Sequence, residues 1–251
     1  MADFWMALGQ HSLARNALFA AILVSICCGV VGTYVVVRRI SYIAAGVSHC
    51  VLGGLGAAHY LQVVWGWSWL KPVYGALAAA LLSAGIIGWV SLHRREREDT
   101  AISAVWSIGM ALGILFLYAT PGYSQDLMGY LFGNILLVSG QNLLLLAGLN
   151  AVVIAAAGWF FQEFQAVCFD EEFARLRNLP VGAYYTLLLA LTALTVVALS
   201  MVVGVVLVIA LLTLPAATAG RFARSLSQMM ILSAGVCGVC CLLGLTISYR
   251  P

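Results

Sequence analysis

One histidine in the middle of an apolar, helix-length segment is the residue of this chain best suited to chemistry. His49, preceded by Ser48, lies in the segment that opens with Arg38 and runs to His59. A titratable side chain at the depth of a membrane interior is costly unless it faces a protein interior or a water-filled path. We therefore interpret His49 as the centre of a functional face on this helix.

Small residues surround His49 on that face. At about 100° per residue, a helix brings Ala45, His49, Gly53 and Gly56 to one side. Glycines thin a membrane helix and let other backbone or a small solute come close. The spacing predicts that these residues, together with Ser48, line a path.

The composition indicates the class of protein that must hold this face. Of the 251 residues, 63% are hydrophobic and 8% are charged, and the mean hydropathy is +1.03. A soluble domain carries about 25% charged residues, so this chain has too few to cover a soluble surface. There is a single lysine and the net charge is only +3, so we expect no nucleic acid partner.

Apolar runs of about 20 residues can each cross a roughly 30 Å hydrocarbon core. We predict an all-α polytopic membrane protein with a short re-entrant or interfacial helix near 127–138. The boundary between the sixth and seventh spans is left open because they are nearly continuous. The eight predicted spans are 14–37, 43–63, 72–92, 101–119, 141–162, 182–200, 201–220 and 226–247.

The arginines predict the orientation of these spans. With the N-terminus outside, nine arginines fall in cytoplasmic loops, as the positive-inside rule requires. Three tryptophans between the second and third spans then form an outer interfacial belt against membrane lipid. The nine arginines are Arg38, Arg39, Arg94, Arg95, Arg97, Arg175, Arg177, Arg221 and Arg224, and the tryptophans are Trp65, Trp67 and Trp69.

The connection before the sixth span is charged and favours a helix. Acidic residues open the predicted helix and an arginine stands near its end, which complements the helix dipole. Two apolar residues three positions apart share one side. The pattern predicts an amphipathic helix that either docks a partner or lies on the membrane surface. The residues are Asp170, Glu171, Glu172, Phe173, Arg175 and Leu176.

Pro215 lies near the inner end of the seventh span. Proline removes a backbone hydrogen bond and usually kinks a helix, which predicts either a gate or a purely structural kink.

No enzyme motif emerges from the sequence. The chain has no HExxH, no GxSxG and no glycine-rich phosphate loop, so we do not expect an enzyme, and if the chain pumps, its ATP-driven motor is another chain.

Four stretches of the chain resemble the permease subunit of zinc, manganese and iron ABC importers, the ABC-3 family. The resemblance implies two permease copies around a path, an extracytoplasmic metal-binding protein and a cytoplasmic ATPase dimer that binds the ATP. It also implies a transported divalent metal, no permanently bound cofactor, the bacterial inner membrane, and a coupling role for the helix after Asp170. The stretches are 29–54, 126–139, 170–182 and 203–225.

The second span of this family carries an Asp-x-x-Ser-His motif whose Asp and His line the metal path. Ser48 and His49 match the motif, whereas Ala45 takes the place of the aspartate. The resemblance implies that His49 contacts the metal, from one or both copies, and a packed core histidine is the alternative.

We expect one permease domain over 1–251 that lacks the family's final helix. Two other functions stay open: a permease for a metal chelate such as a siderophore, and a transport-inactive membrane scaffold.

Overall fold

Ten α-helices make up the regular structure in the described part of the chain. The computed structural model describes residues 12–93, 98–121, 133 and 140–248. In chain order the helices are α1 Ser12–Val37, α2 Ser41–Val64, α3 Pro72–His93, α4 Glu98–Ala119, α5 Gly140–Trp159, α6 Phe161–Phe169, α7 Glu171–Leu176, α8 Val181–Val203, α9 Val205–Ala219 and α10 Leu226–Ser248.

The predicted all-α membrane architecture is confirmed. Seven of the described helices are long and apolar enough to cross a bilayer, namely α1 to α5, α8 and α10. The remaining predicted span is α9, whose 15 residues are apolar but measure only about 22 Å at 1.5 Å per residue. It is therefore a shorter apolar helix beside seven full spans.

The boundary that the sequence left open falls at Gly204, later than the predicted end at residue 200. Gly204 has φ +83°, a backbone conformation that favours glycine, and it separates α8 from α9. The fifth span also ends earlier than predicted, because the chain turns at Phe160 and starts α6 at once. Both differences arise from backbone turns inside apolar sequence, where hydropathy gives no signal.

Helix α2 lies in the interior of the bundle. It packs most extensively on α3 and α4, while α1 packs on α10, α9 and α5, and α8 contacts helices of both groups. At least 61% of the residues in the apolar windows of α1, α2 and α8 are buried, against at most 22% in α4, α5 and α10. The helix that carries His49 is therefore surrounded by protein along most of its length.

Three of the four arginine-bearing connections share one end of the bundle. Arg38, after α1, forms an ion pair with Glu171 of α7. Val37, at the end of α1, packs on the cluster that contains Ala219, which ends α9 just before the connection with Arg221 and Arg224. The fourth connection, with Arg94, Arg95 and Arg97, lies outside the described residues.

The tryptophan-rich connection between α2 and α3 is exposed. Trp65 and Trp67 meet edge to face at 5.6 Å between ring centroids, and Trp67 stacks on Trp69 at 6.0 Å. The helix predicted near 127–138 lies outside the described residues except for Gly133. Gly133 has φ +66° and packs directly on the backbone of Val203 and Gly204, at the junction of α8 and α9.

Candidate metal path and docking helix

His49 is held against an aromatic ring of α4. Its imidazole stacks on the indole of Trp106, with 4.3 Å between ring centroids and 15° between the planes. Tyr42, two turns earlier on α2, shares a 2.9 Å hydrogen bond with the Ser103 hydroxyl and lies 6.1 Å from the Trp106 ring. The imidazole is 9% exposed. Its orientation is therefore set by the α2–α4 contact.

One nitrogen of this imidazole lacks a partner. His49 Nδ1 is buried and has no hydrogen bond among the described residues, a state shared with Asn150 Oδ1 and Ser233 Oγ. Leaving a buried polar atom unsatisfied costs about 1–3 kcal/mol, so such an atom calls for an explanation. Of the three, His49 alone has a side chain of the kind that commonly ligates metal.

Ser48 and Ala45 lie beside His49 in the interior. The Ser48 hydroxyl donates a 2.8 Å hydrogen bond to the Ala45 carbonyl oxygen and is fully buried. Ala45 is 6% exposed and supplies no side-chain ligand atom. The described residues hold no group of three or more His, Cys, Asp or Glu side chains that could bind a metal.

Two glycines of this face lie against the backbone of α4, and their predicted place along a path stays a prediction. A Cβ atom on Gly53 would come within 2.6 Å of the Gly109 carbonyl oxygen, and one on Gly56 within 2.8 Å of the Gly113 carbonyl oxygen. The face predicted to line a path is thus covered by α4 at these two positions. Gly53 and Gly56 serve close helix packing, because no side chain would fit between the two backbones.

Helix α7 forms where the charged connection predicted it. The Asp170 carboxylate caps its start by accepting a 2.9 Å hydrogen bond from the Phe173 backbone N–H. Its end is closed by Asn178, which has φ +57°, and by a 3.1 Å bond from the Leu179 N–H to the Ala174 carbonyl. The sequence thus defines both ends of this short helix.

The side chains of α7 divide into an inner and an outer set. Glu171 is directed inward and bonds Arg38 at 2.7 Å and Arg175 at 2.6 Å. Glu172 is exposed, Phe173 is 45% exposed, and Leu176 is 82% exposed. Glu171 therefore anchors the helix, whereas the outer set is available to a partner.

Pro215 lies inside α9, which stays helical through it. The break in helical structure in this part of the chain falls at Gly204 instead. A gating or kinking role for Pro215 stays a prediction.

Most of the cysteines are buried, as expected for small apolar side chains. Cys27, Cys28, Cys168 and Cys237 are buried, whereas Cys240 is exposed. At the end of α6, desolvation by burial raises the pKa of the Cys168 thiol from 9.0 to about 11, and the nearby Arg38 guanidinium opposes part of that rise. This thiol therefore keeps its proton at neutral pH.

Two residues of the site were missed by sequence reasoning. Trp106 lies in a long apolar run, where an aromatic residue is unremarkable, yet it shares a helical face with the contact residues Gly109 and Gly113. Arg38 was interpreted only as a topology signal, although it bridges two elements. The matching spacing of small residues in α2 and α4 could have indicated that these two helices pack together, with Trp106 near His49.

Comparisons with known proteins identify the family. The sequence model of the ABC 3 transport family matches residues 10–250. An uncharacterized membrane protein of Synechocystis sp. is 41% identical over 240 residues, which cover 96% of this chain and 83% of that protein. A manganese import system permease protein of Streptococcus gordonii is 32% identical over 247 residues, which cover 98% of this chain and 86% of that protein. The structure of PsaBC from Streptococcus pneumoniae in complex with Fab matches with a TM-score of 0.87 at 34% identity, over 99% of this chain and 87% of that one. The chain belongs to the ABC 3 transport family.

Proposed function

We propose that the chain is the transmembrane permease subunit of an ABC importer for divalent transition-metal ions. The observation that carries this proposal is similarity over nearly the whole chain to a manganese import permease, 32% identical over 98% of this chain. The match to the PsaBC structure over 99% of the chain supports the same architecture. The ion is manganese, zinc or iron(II), since these metals accept overlapping ligands.

His49 contacts the ion in this proposal. Its buried Nδ1 has no partner among the described residues, and a bound ion or its water would supply one. One imidazole gives one donor, whereas divalent transition metals take four or more. A second permease copy brings its own His49 to the same path, with Ser48 and Ala45 beside it, which gives two imidazole donors, and water supplies the remaining ones.

We assign the partners to the two ends of the bundle. The arginine-bearing end faces the cytoplasm of a bacterium, as the positive-inside rule requires, and the N-terminus lies outside. A cytoplasmic ATPase dimer, which holds the ATP, docks on the exposed Glu172, Phe173 and Leu176 of α7. An extracytoplasmic metal-binding protein delivers the ion at the opposite end.

The test is reconstitution of the permease with the ATPase and metal-binding protein of its own system in proteoliposomes. ATP-dependent uptake of Mn²⁺, Zn²⁺ and Fe²⁺ is measured against uptake of a ferric siderophore. We expect uptake of at least one free ion and loss of at least 90% of it in His49→Ala. Uptake of the chelate alone, or full uptake by His49→Ala, would contradict the proposal. His93→Ala is the matched control, because His93 is exposed and its ring bonds within its own helix.

A further inference from the structure

Arg38, in the turn before the helix that carries His49, contacts the docking helix α7. Its guanidinium Nη2 donates a 2.7 Å hydrogen bond to Glu171 Oε2, and the two side chains are 23% and 18% exposed. The same guanidinium lies over the ring of Tyr185 on α8, 5.4 Å from its centroid. Tyr185 in turn shares a 3.1 Å hydrogen bond with Ser91 on α3. Arg38 therefore connects the α1–α2 turn, α7 and α8, and reaches α3 through Tyr185.

The turn that holds Arg38 is short and is closed by backbone hydrogen bonds. Three residues separate α1 from α2, and Arg39 among them adopts φ +61°, which is uncommon for a residue with a side chain. The turn is closed by bonds from the Arg39 N–H to the Val36 carbonyl at 3.1 Å and from the Ile40 N–H to the Val35 carbonyl at 2.9 Å. A displacement of Arg38 is therefore passed to the start of α2. His49 lies eight residues beyond Ser41, or about 12 Å along that helix.

Helix α7, which carries Glu171, is also fixed by contacts with its neighbours. Helix α7 packs mainly on α6 and α8. Ala174 shares a small apolar cluster with Val167 of α6 and Val181 of α8. Glu171 is also bonded to Arg175 within α7 at 2.6 Å. Because α7 is held by packing on its neighbours, a push on this helix moves Glu171 together with the helix.

We propose that the Arg38–Glu171 ion pair is the contact that transmits movement of the docking helix α7 to α2, and so to His49. The inference rests on the proposed function, since it assumes that a partner acts on α7. The low exposure of both groups favours a persistent contact, because a partly desolvated pair is screened less than a surface pair. Arg38 and Glu171 are positioning residues here, because neither is assigned to the ion.

The test compares two arginines that share one carboxylate. Arg38→Gln removes the bond between elements, whereas Arg175→Gln removes only the bond inside α7. The reconstituted complex of permease, ATPase and metal-binding protein is assayed for ions moved per ATP hydrolysed, with whichever of Mn²⁺, Zn²⁺ and Fe²⁺ the wild type takes up. A purely structural residue would lower transport and hydrolysis in proportion to the folded complex, and would leave this ratio unchanged.

We expect Arg38→Gln to lower the ratio at least 5-fold while ATP hydrolysis stays within 2-fold of wild type, and Arg175→Gln to keep the ratio within 2-fold. Charge reversal gives a second test that tolerates partial misfolding. Arg38→Glu and Glu171→Arg should each lower the ratio at least 10-fold, and the double variant should recover at least a third of the wild-type ratio.

Equal ratios in Arg38→Gln and Arg175→Gln, or a double variant no better than the single ones, would overturn the role of the ion pair and leave the proposed function standing. A wild-type complex that moves none of Mn²⁺, Zn²⁺ and Fe²⁺ would overturn the proposed function and, with it, the role of the ion pair.

Discussion

His49 and Trp106 lie face to face, with 4.3 Å between their ring centroids and 15° between their planes. The indole covers one face of the imidazole, so rotation of the imidazole about its own axis is restricted. The two edges that carry the nitrogens remain free of the stack, and one of them, Nδ1, has no partner in the described part of the chain. Trp106 therefore orients the ring without occupying a ligand position.

Trp106→Ala should weaken the apparent affinity for the transported ion between about 2- and 10-fold, which corresponds to loss of an aromatic pair worth roughly 0.5–1.5 kcal/mol. Trp106→Phe should keep the affinity within 2-fold, because a ring stays over the imidazole. The measurement is the concentration dependence of Mn²⁺ uptake. Trp89→Ala is the control, since Trp89 stacks on a different histidine, His93, with 5.2 Å between the ring centroids. Equal effects of the two alanine variants would contradict an orienting role.

Ala45→Asp should raise Mn²⁺ uptake relative to Zn²⁺ uptake. Position 45 lies one helical turn before His49, so a carboxylate there shares its face, and carboxylate oxygens suit manganese better than zinc. Uptake of the two ions in competition gives the ratio. Ala45→Asn has nearly the same shape without the charge and should change the ratio less. A ratio that is unchanged in Ala45→Asp would separate position 45 from the ion.

The fold could be predicted largely from the lengths of the apolar runs, because each helix must bury its own backbone polar groups in a bilayer. The position of Gly204 could not be predicted to the residue, since its neighbours are apolar on both sides and only the backbone angle marks the break. The start of α7 was readable from Asp170 because capping is local chemistry.

The site was less readable, because its contacts join distant parts of the chain. His49 is conspicuous as a polar residue in apolar sequence, but its contact with Trp106 requires knowing that α4 packs on α2. Gly53 and Gly56 illustrate the same difficulty, because their close approach to α4 depends on which helix lies beside them. The bond of Glu171 to Arg38 likewise joins two connections that are far apart in the sequence.

Gly54→Ala should destabilise the protein by about 1–3 kcal/mol, the typical cost of overpacking. A Cβ atom at Gly54 would collide with the Gly75 carbonyl oxygen of α3, which is backbone and cannot rotate away. Gly85→Ala is the matched control, because its Cβ would meet nothing within 4 Å. Alanine there should be neutral or slightly stabilising. Thermal unfolding in detergent micelles measures both, and equal transition temperatures would refute the close contact.

Cys168 should make the folded state lose stability between pH 9 and pH 11. Burial raises its pKa from 9.0 to about 11, so above pH 9 the unfolded chain releases a proton that the folded chain retains. The unfolded state is then favoured by rising pH, by a total on the order of 1–3 kcal/mol. Below pH 9 both states hold the proton and there is no effect. Cys168→Ala should lessen the fall in melting temperature between pH 8 and pH 10.5, whereas Cys240→Ala, at an exposed position, should not.

Leu176→Asp should abolish association with the ATPase and leave the permease folded. Leu176 is 82% exposed, so its side chain contributes little to the core, while an exposed leucine beside Phe173 suits burial under a partner. A charge placed in the centre of such an interface commonly costs 2 kcal/mol or more, or at least about 30-fold in affinity. Copurification of the two chains and the melting temperature of the permease measure the two effects. Gln165→Asp adds the same charge at an exposed position of α6 and should leave the association intact. A Leu176→Asp permease that still copurifies with the ATPase would remove α7 from the docking surface, since the most exposed apolar side chain on that helix would then be dispensable.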